Sequence, residues 1–140
     1  MIDEPGAGLA AVRILVGFLF FAHGLDILTA GMGRTKEFFK AFKVPMADVT
    51  TPLAGVVQAA GGLAMIIGLG ADVAAAVLIV LMILAMYYVH GRFGFPNINI
   101  TGQNDDGSYK LGMPGFEFNV ALIAGLLAVA IGGAGKWSIS

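Results

Sequence analysis

Apolar residues fill this chain in blocks: four stretches, at about 8–28, 52–69, 72–89 and 116–131, are nearly saturated with Leu, Ile, Val, Ala, Phe, Met and Gly. A helix needs ~20 mostly apolar residues to cross a hydrocarbon layer about 30 Å thick. The pattern therefore predicts four membrane-spanning helices. The first block does not read as a cleaved signal peptide. No Lys or Arg precedes it, Asp3 and Glu4 do, and its apolar run exceeds the length of a signal core.

The connections carry the rest of the pattern. Only Gly70 and Ala71 separate the second and third blocks, so the chain must turn back there at once as an antiparallel hairpin. Between the first and second blocks, Gly33 to Pro45 places Phe38, Phe39 and Phe42 at i, i+1, i+4, with Lys36, Lys40 and Lys43 interleaved. That spacing predicts a short helix lying in the membrane interface. The third connection, Gly91 to Gly115, is long and polar. Asn97–Thr101 and Ser108–Leu111 flank Gln103–Gly107 in a way that suggests a small β-hairpin cap. The expected fold class is all-α, a single domain over 1–140. It is an integral membrane antiparallel four-helix bundle with one short interfacial helix and a small polar loop on one face.

Composition agrees and narrows the function classes. Of 140 residues, 58% are hydrophobic and 12% charged, against about a quarter charged in a soluble domain. A chain this small cannot hide so much apolar surface, and lipid is what it can face. The net charge of -1 provides no basic excess for nucleic acid. With no cysteine, disulfides, thiolate metal sites and thiol nucleophiles are excluded. Four crossings put both termini on one face and the two long loops on the other. The loop face then holds Arg34, Lys36, Lys40, Lys43, Arg92 and Lys110, the terminal face only Arg13 and Lys136. The positive-inside tendency orients the loops to the cytoplasm, and the expected location is a prokaryotic cytoplasmic membrane.

Polar residues inside apolar spans are costly and ask for a partner or a purpose. His23 and Asp26 lie i, i+3 on the first helix, near its loop-face end. Gln58 lies on the second helix, His90 ends the third, and Glu117 and Asn119 open the fourth. Four helices thus aim polar groups at one end, where His23, Asp26, Gln58, His90 and Glu117 are expected to converge beneath a lid formed by Phe38, Phe39 and Phe42. Each has a plainer reading beside it. His90 and Glu117 sit where headgroups and water reach, His23 and Asp26 can satisfy each other, and an amide such as Gln58 commonly joins two helices. On the terminal face Arg13 and Asp72 are expected to form a structural ion pair. Glycines 17, 24, 55, 61, 62 and 68 form small faces for close helix packing. Gly61-Gly62 has no Lys or Ser beside it for phosphate, and neither His has the spacing of a metal motif, so no metal site is expected.

Arg13-Ile-Leu-Val-Gly17 with Phe21-Ala-His-Gly24, Pro45, Gln58-Ala-Ala-Gly-Gly62, Gly68, His90-Gly-Arg-Phe-Gly-Phe95, Gly115-Phe-Glu117 and Gly133 to Ser138 resemble, in order and spacing, the DoxX family of four-helix membrane proteins. The resemblance runs over nearly the whole chain. It implies a four-helix bundle and, for some members, a role as membrane subunit of a quinone-linked oxidoreductase. Where the family usually shows a Lys shortly after the His-Gly of the first helix this chain has Asp26, and where it shows a Glu in the second helix it has Gln58. Where it commonly ends Ser-Leu-Asp, this chain has Ser138-Ile-Ser140.

Two functions follow as expectations. In the first, the chain is a membrane subunit of a quinone-linked complex. His23, Gln58, His90 and Phe39 bind the quinone headgroup, and His23, Asp26 and Glu117 act as a proton relay, since imidazole and carboxylate suit two-proton chemistry near neutral pH. The chain has no flavin fingerprint, haem-attachment motif or covalent cofactor site, so electrons must come from a partner such as a flavoprotein, and the chain alone is not expected to be catalytic. In the second, it is a non-catalytic structural or assembly subunit packed in a larger membrane complex. A transporter is disfavoured, because no internal repeat and no Pro inside a span is visible.

Overall fold

A computed structural model of the chain describes residues 5–138; Asp3, Glu4 and Ser140 lie outside the described residues. The structure is mostly helical. Helix α1 (Pro5–Leu28) is followed by a short α2 (Met32–Ala41), then α3 (Ala47–Ile67), α4 (Ala71–Tyr88), a single 3-10 turn (His90–Phe93), a two-stranded antiparallel hairpin of β1 (Ile100–Gln103) and β2 (Tyr109–Leu111), and α5 (Glu117–Gly132). Three of these helices, α1, α3 and α4, are long and apolar enough to cross a membrane; α5 is apolar but has 16 residues.

Boundaries follow the sequence pattern to within about three residues, with one larger difference. The second apolar block was expected to begin at Pro52, a residue well suited to a first helical turn. Instead α3 begins at Ala47 and carries Pro52 inside it. The earlier start is made at Met46, which adopts a left-handed conformation and accepts the amides of Val49 and Thr50. Pro52, in the second turn of α3, has no amide to give to the Asp48 carbonyl, so one intrahelical bond is missing there. A proline therefore does lie inside a helix long and apolar enough to span, where none was expected.

The tightest packing is between α1 and α3. Gly17 and Gly24 on α1 and Gly55 and Gly62 on α3 are each seven residues apart, so each pair stays on one helix face. A Cβ on Gly17 would lie 2.8 Å from the Gly62 carbonyl oxygen, and one on Gly24 would strike the backbone of Ala59. Small residues thus let the two backbones touch, the usual device where lipid removes the hydrophobic drive between helices. Helix α4 packs on α3 and on α5, and α5 returns to α1.

The dense core lies in the half of the molecule near the termini. Phe20, Met65, Ala71, Ala75, Leu78, Leu126 and Val129 form one buried cluster there. Arg13 is completely buried beside it. Its Nη1 donates to the carbonyls of Met65 (2.7 Å) and Ile66 (2.9 Å), and its Nη2 to those of Lys136 (2.8 Å) and Trp137 (2.9 Å). The Met65 and Ile66 carbonyls belong to the last turn of α3, where intrahelical donors run out. The guanidinium therefore caps α3 and fastens the C-terminal segment to it. This replaces the expected ion pair with Asp72, which is exposed and makes no salt bridge with Arg13 among the described residues.

Candidate functional site

Away from that core the helices part. A cavity of about 920 Å³ occupies the loop-face half, and every helix contributes to its wall. Its lining is mostly aliphatic and aromatic. Leu53 of α3 (56% exposed) and Val80 of α4 (57% exposed) line it and also reach the outer surface, as do Val77 and Leu84. Leu19 of α1 and Phe118 of α5 do the same, so the cavity is open along its apolar wall rather than sealed; α3 and α4 touch farther along, where Leu78 covers Gly61.

Polar groups in the wall are few and placed by packing. Because Gly24 of α1 rests on Ala59 of α3, their neighbours His23 and Gln58 meet, with His23 Nδ1 2.7 Å from Gln58 Oε1. Gln58 is buried, so its amide needs this partner. His90 is held from the other side: its Nδ1 donates to the Pro114 carbonyl at 3.0 Å, just before α5. Buried Asn119, in the first turn of α5, donates to Met82 Sδ at 3.8 Å.

Phe38 and Phe39 of α2 complete the wall as a roof. Phe42 stacks on Phe38 (4.7 Å between centroids), meets Phe93 edge-on at 5.9 Å, and lies under the Arg92 guanidinium at 5.3 Å. This aromatic contact ties α2 to the turn that follows α4. Helix α2 is further tethered by Arg34 Nη2 to Asp26 Oδ2 (3.0 Å) and Lys36 Nζ to Asp48 Oδ1 (3.5 Å).

Of the residues singled out from the sequence, the structure brings His23, Gln58, His90 and Phe39 to one cavity. Asp26 and Glu117 are not part of its wall. Asp26 turns to Arg34, and Glu117 Oε2 accepts the Asn97 amide at 2.8 Å beside a separate surface groove formed with Pro96 and Ile98. An i, i+3 spacing puts His23 and Asp26 on adjoining positions, but α2 supplies Asp26 with a nearer cation. Asn119, Thr50 and Tyr88 also line the cavity. Asn119 was visible as a polar residue within an apolar block; Thr50 and Tyr88 gave no such signal at a helix end. Among the described residues no three His, Asp or Glu side chains gather to hold a metal ion.

The third connection folds as the expected hairpin, with an irregular register between Ile100 and Gly102. Its turn is held by Asp106 Oδ1, which accepts the Ser108 hydroxyl at 2.6 Å and the Ser108 amide at 2.9 Å. Those bonds, the hydroxyl's first, hold the Asp106 carboxyl below its ordinary range. Asn99 Nδ2 donates to the Phe93 (3.2 Å) and Met113 (2.6 Å) carbonyls, closing the base of the hairpin beside His90.

No curated protein and no solved structure matches the chain. A family model described as DoxX matches residues 8–91, which takes in α1 to α4 with His23, Gln58 and His90, and stops before the hairpin and α5. The match is narrower than the resemblance carried by the later motifs, yet it covers more than half of the sequence. The chain is a membrane protein of the DoxX family.

Proposed function

We propose that this protein is a membrane subunit of a quinone-linked oxidoreductase complex and that the loop-face cavity receives the quinone headgroup. The observation that carries this reading is the union of an open apolar wall with a few polar groups: half-exposed Leu53, Val77, Val80 and Leu84 line the same cavity as His23, Gln58 and His90. An isoprenoid quinone has the same division, a long apolar tail and a ring with two oxygens, and a cavity of about 920 Å³ has room for the ring and the first part of the tail. When bound, a quinone supplies two-electron, two-proton redox capacity. The chain's residues would orient the ring, exclude water from it and offer hydrogen bonds at its oxygens.

In this reading α5 also crosses the bilayer, completing four spans. Its 16 residues rise only about 24 Å, so its ends rely on local thinning of the bilayer. The termini share one face, and the loops, with Arg34, Lys36, Lys40, Lys43, Arg92 and Lys110, face the cytoplasm. An electron donor, a flavoprotein or larger complex, would dock from outside the chain.

The test is purification in mild detergent followed by extraction and identification of bound quinone. The wild type is expected to retain the ligand, counted as quinone plus quinol, and His23→Ala to lose most of it; a wild type that is folded and empty would end the reading. One observation favours the second function, a structural or assembly subunit: neither Asp26 nor Glu117 lines the cavity, which leaves it without a carboxylate for a proton relay. That reading expects no quinone and stable recovery with one large membrane assembly.

A further inference from the structure

The two histidines in the cavity wall are both held by acceptors. Gln58 Oε1 carries no proton, so at 2.7 Å the hydrogen of that contact belongs to His23 Nδ1. The Pro114 carbonyl likewise only accepts, so at 3.0 Å the hydrogen belongs to His90 Nδ1. A neutral imidazole has one donor and one acceptor nitrogen, and the partner of one nitrogen decides the state of the other. Each ring is thereby left with Nε2 as a lone-pair acceptor. No other protein group among the described residues takes either Nε2.

Resting on the quinone reading above, we propose that His23 and His90 select the reduced, hydroxyl-bearing form of the headgroup, a quinol, over the corresponding quinone. The two forms share a ring and tail and differ in the polarity of their hydrogen bonds. A quinone brings two carbonyl oxygens, which are acceptors and meet an Nε2 lone pair with nothing to share. A quinol brings two O–H donors, which complete the bond. The Gln58 amide nitrogen still has protons to give, so a carbonyl retains one partner and the effect is a preference of about tenfold, the size expected of one hydrogen bond made or missed. Gln58 is the residue that sets this preference at His23, acting through the ring without having to touch the ligand. A carboxylate at position 58 would be as good an acceptor, whereas a hydrocarbon side chain would leave the tautomer of His23 free.

The experiment uses the full chain in lipid nanodiscs under anaerobic conditions, titrated calorimetrically with decylubiquinol and with decylubiquinone, alongside 15N spectra of labelled histidine. The expected result is about tenfold tighter binding of the quinol, with the His23 proton on Nδ1. Gln58→Glu keeps the preference, and Gln58→Leu shrinks it below about threefold. Both ligands binding equally well, or the His23 proton residing on Nε2, would overturn this selection while leaving the quinone cavity in place. A folded wild type that binds neither ligand would overturn the cavity's proposed role as well.

Discussion

Arg13 and Met65 are 52 positions apart in the chain, yet the guanidinium Nη1 of the first lies 2.7 Å from the carbonyl oxygen of the second, in complete burial. Among the described residues Arg13 is the one fully buried cation, and its counter-charge is a set of four backbone carbonyls from α3 and the C-terminal segment. Removing it strands those oxygens. Arg13→Met is expected to cost about 2 kcal/mol or more, the size of a hydrogen bond to a charged group, read by SDS-induced unfolding in mixed micelles. Arg13→Lys, with a single ammonium in place of a fork, should recover only part. Unchanged stability in both would show that the clamp contributes nothing.

The α1–α3 seam predicts a contrast among glycines. A Cβ on Gly24 would lie 2.7 Å from the Gly55 carbonyl oxygen and strike Ala59, whereas nothing lies within 4 Å of the same atom on Gly33. Gly24→Leu should destabilise by about 1–3 kcal/mol through overpacking and break the His23–Gln58 contact with it. Gly33→Ala, inside α2, should be neutral or slightly stabilising, since alanine favours helix by up to about 1 kcal/mol. Unfolding curves of the two variants compare them directly.

Asp26 and His23 should separate in function. The Asp26–Arg34 pair is exposed on both sides, and such pairs contribute about 0–1 kcal/mol. Asp26→Asn is therefore expected to leave both stability and the retained pool of quinone plus quinol near wild type, while His23→Ala loses most of that pool. Equal loss from both variants, measured by extraction of bound quinone, would place Asp26 back in the site.

The hairpin turn gives a pH dependence. The folded-state pKa of Asp106 is lowered, so its contribution to the turn is present above the ordinary carboxylate pKa and is lost as pH falls through the depressed folded value. Amide resonances of Gly107 and Ser108 should report the transition. Ser108→Ala removes the hydroxyl bond and should move the midpoint upward toward the range of a free carboxylate; no movement would mean that the bond is not formed in solution.

What the sequence determined by itself is whatever depends on composition along the chain: the apolar spans, the immediate turn at Gly70, the amphipathic α2 and the hairpin before α5. Transfer into hydrocarbon is close to additive over residues, so a linear reading suffices for these. Helix rotation is different. Spans that are apolar nearly all round carry no periodic signal for which side faces in. Only the tertiary structure decided that Gly24 meets Ala59, which brings His23 to Gln58, and that the helices part on the loop side to leave a cavity. It likewise decided that Asp26 leaves that cavity for Arg34 and that Arg13 is answered by carbonyls rather than by Asp72. These outcomes depend on distances between segments remote in the chain, which close backbone packing and the demand of buried polar groups for partners set together.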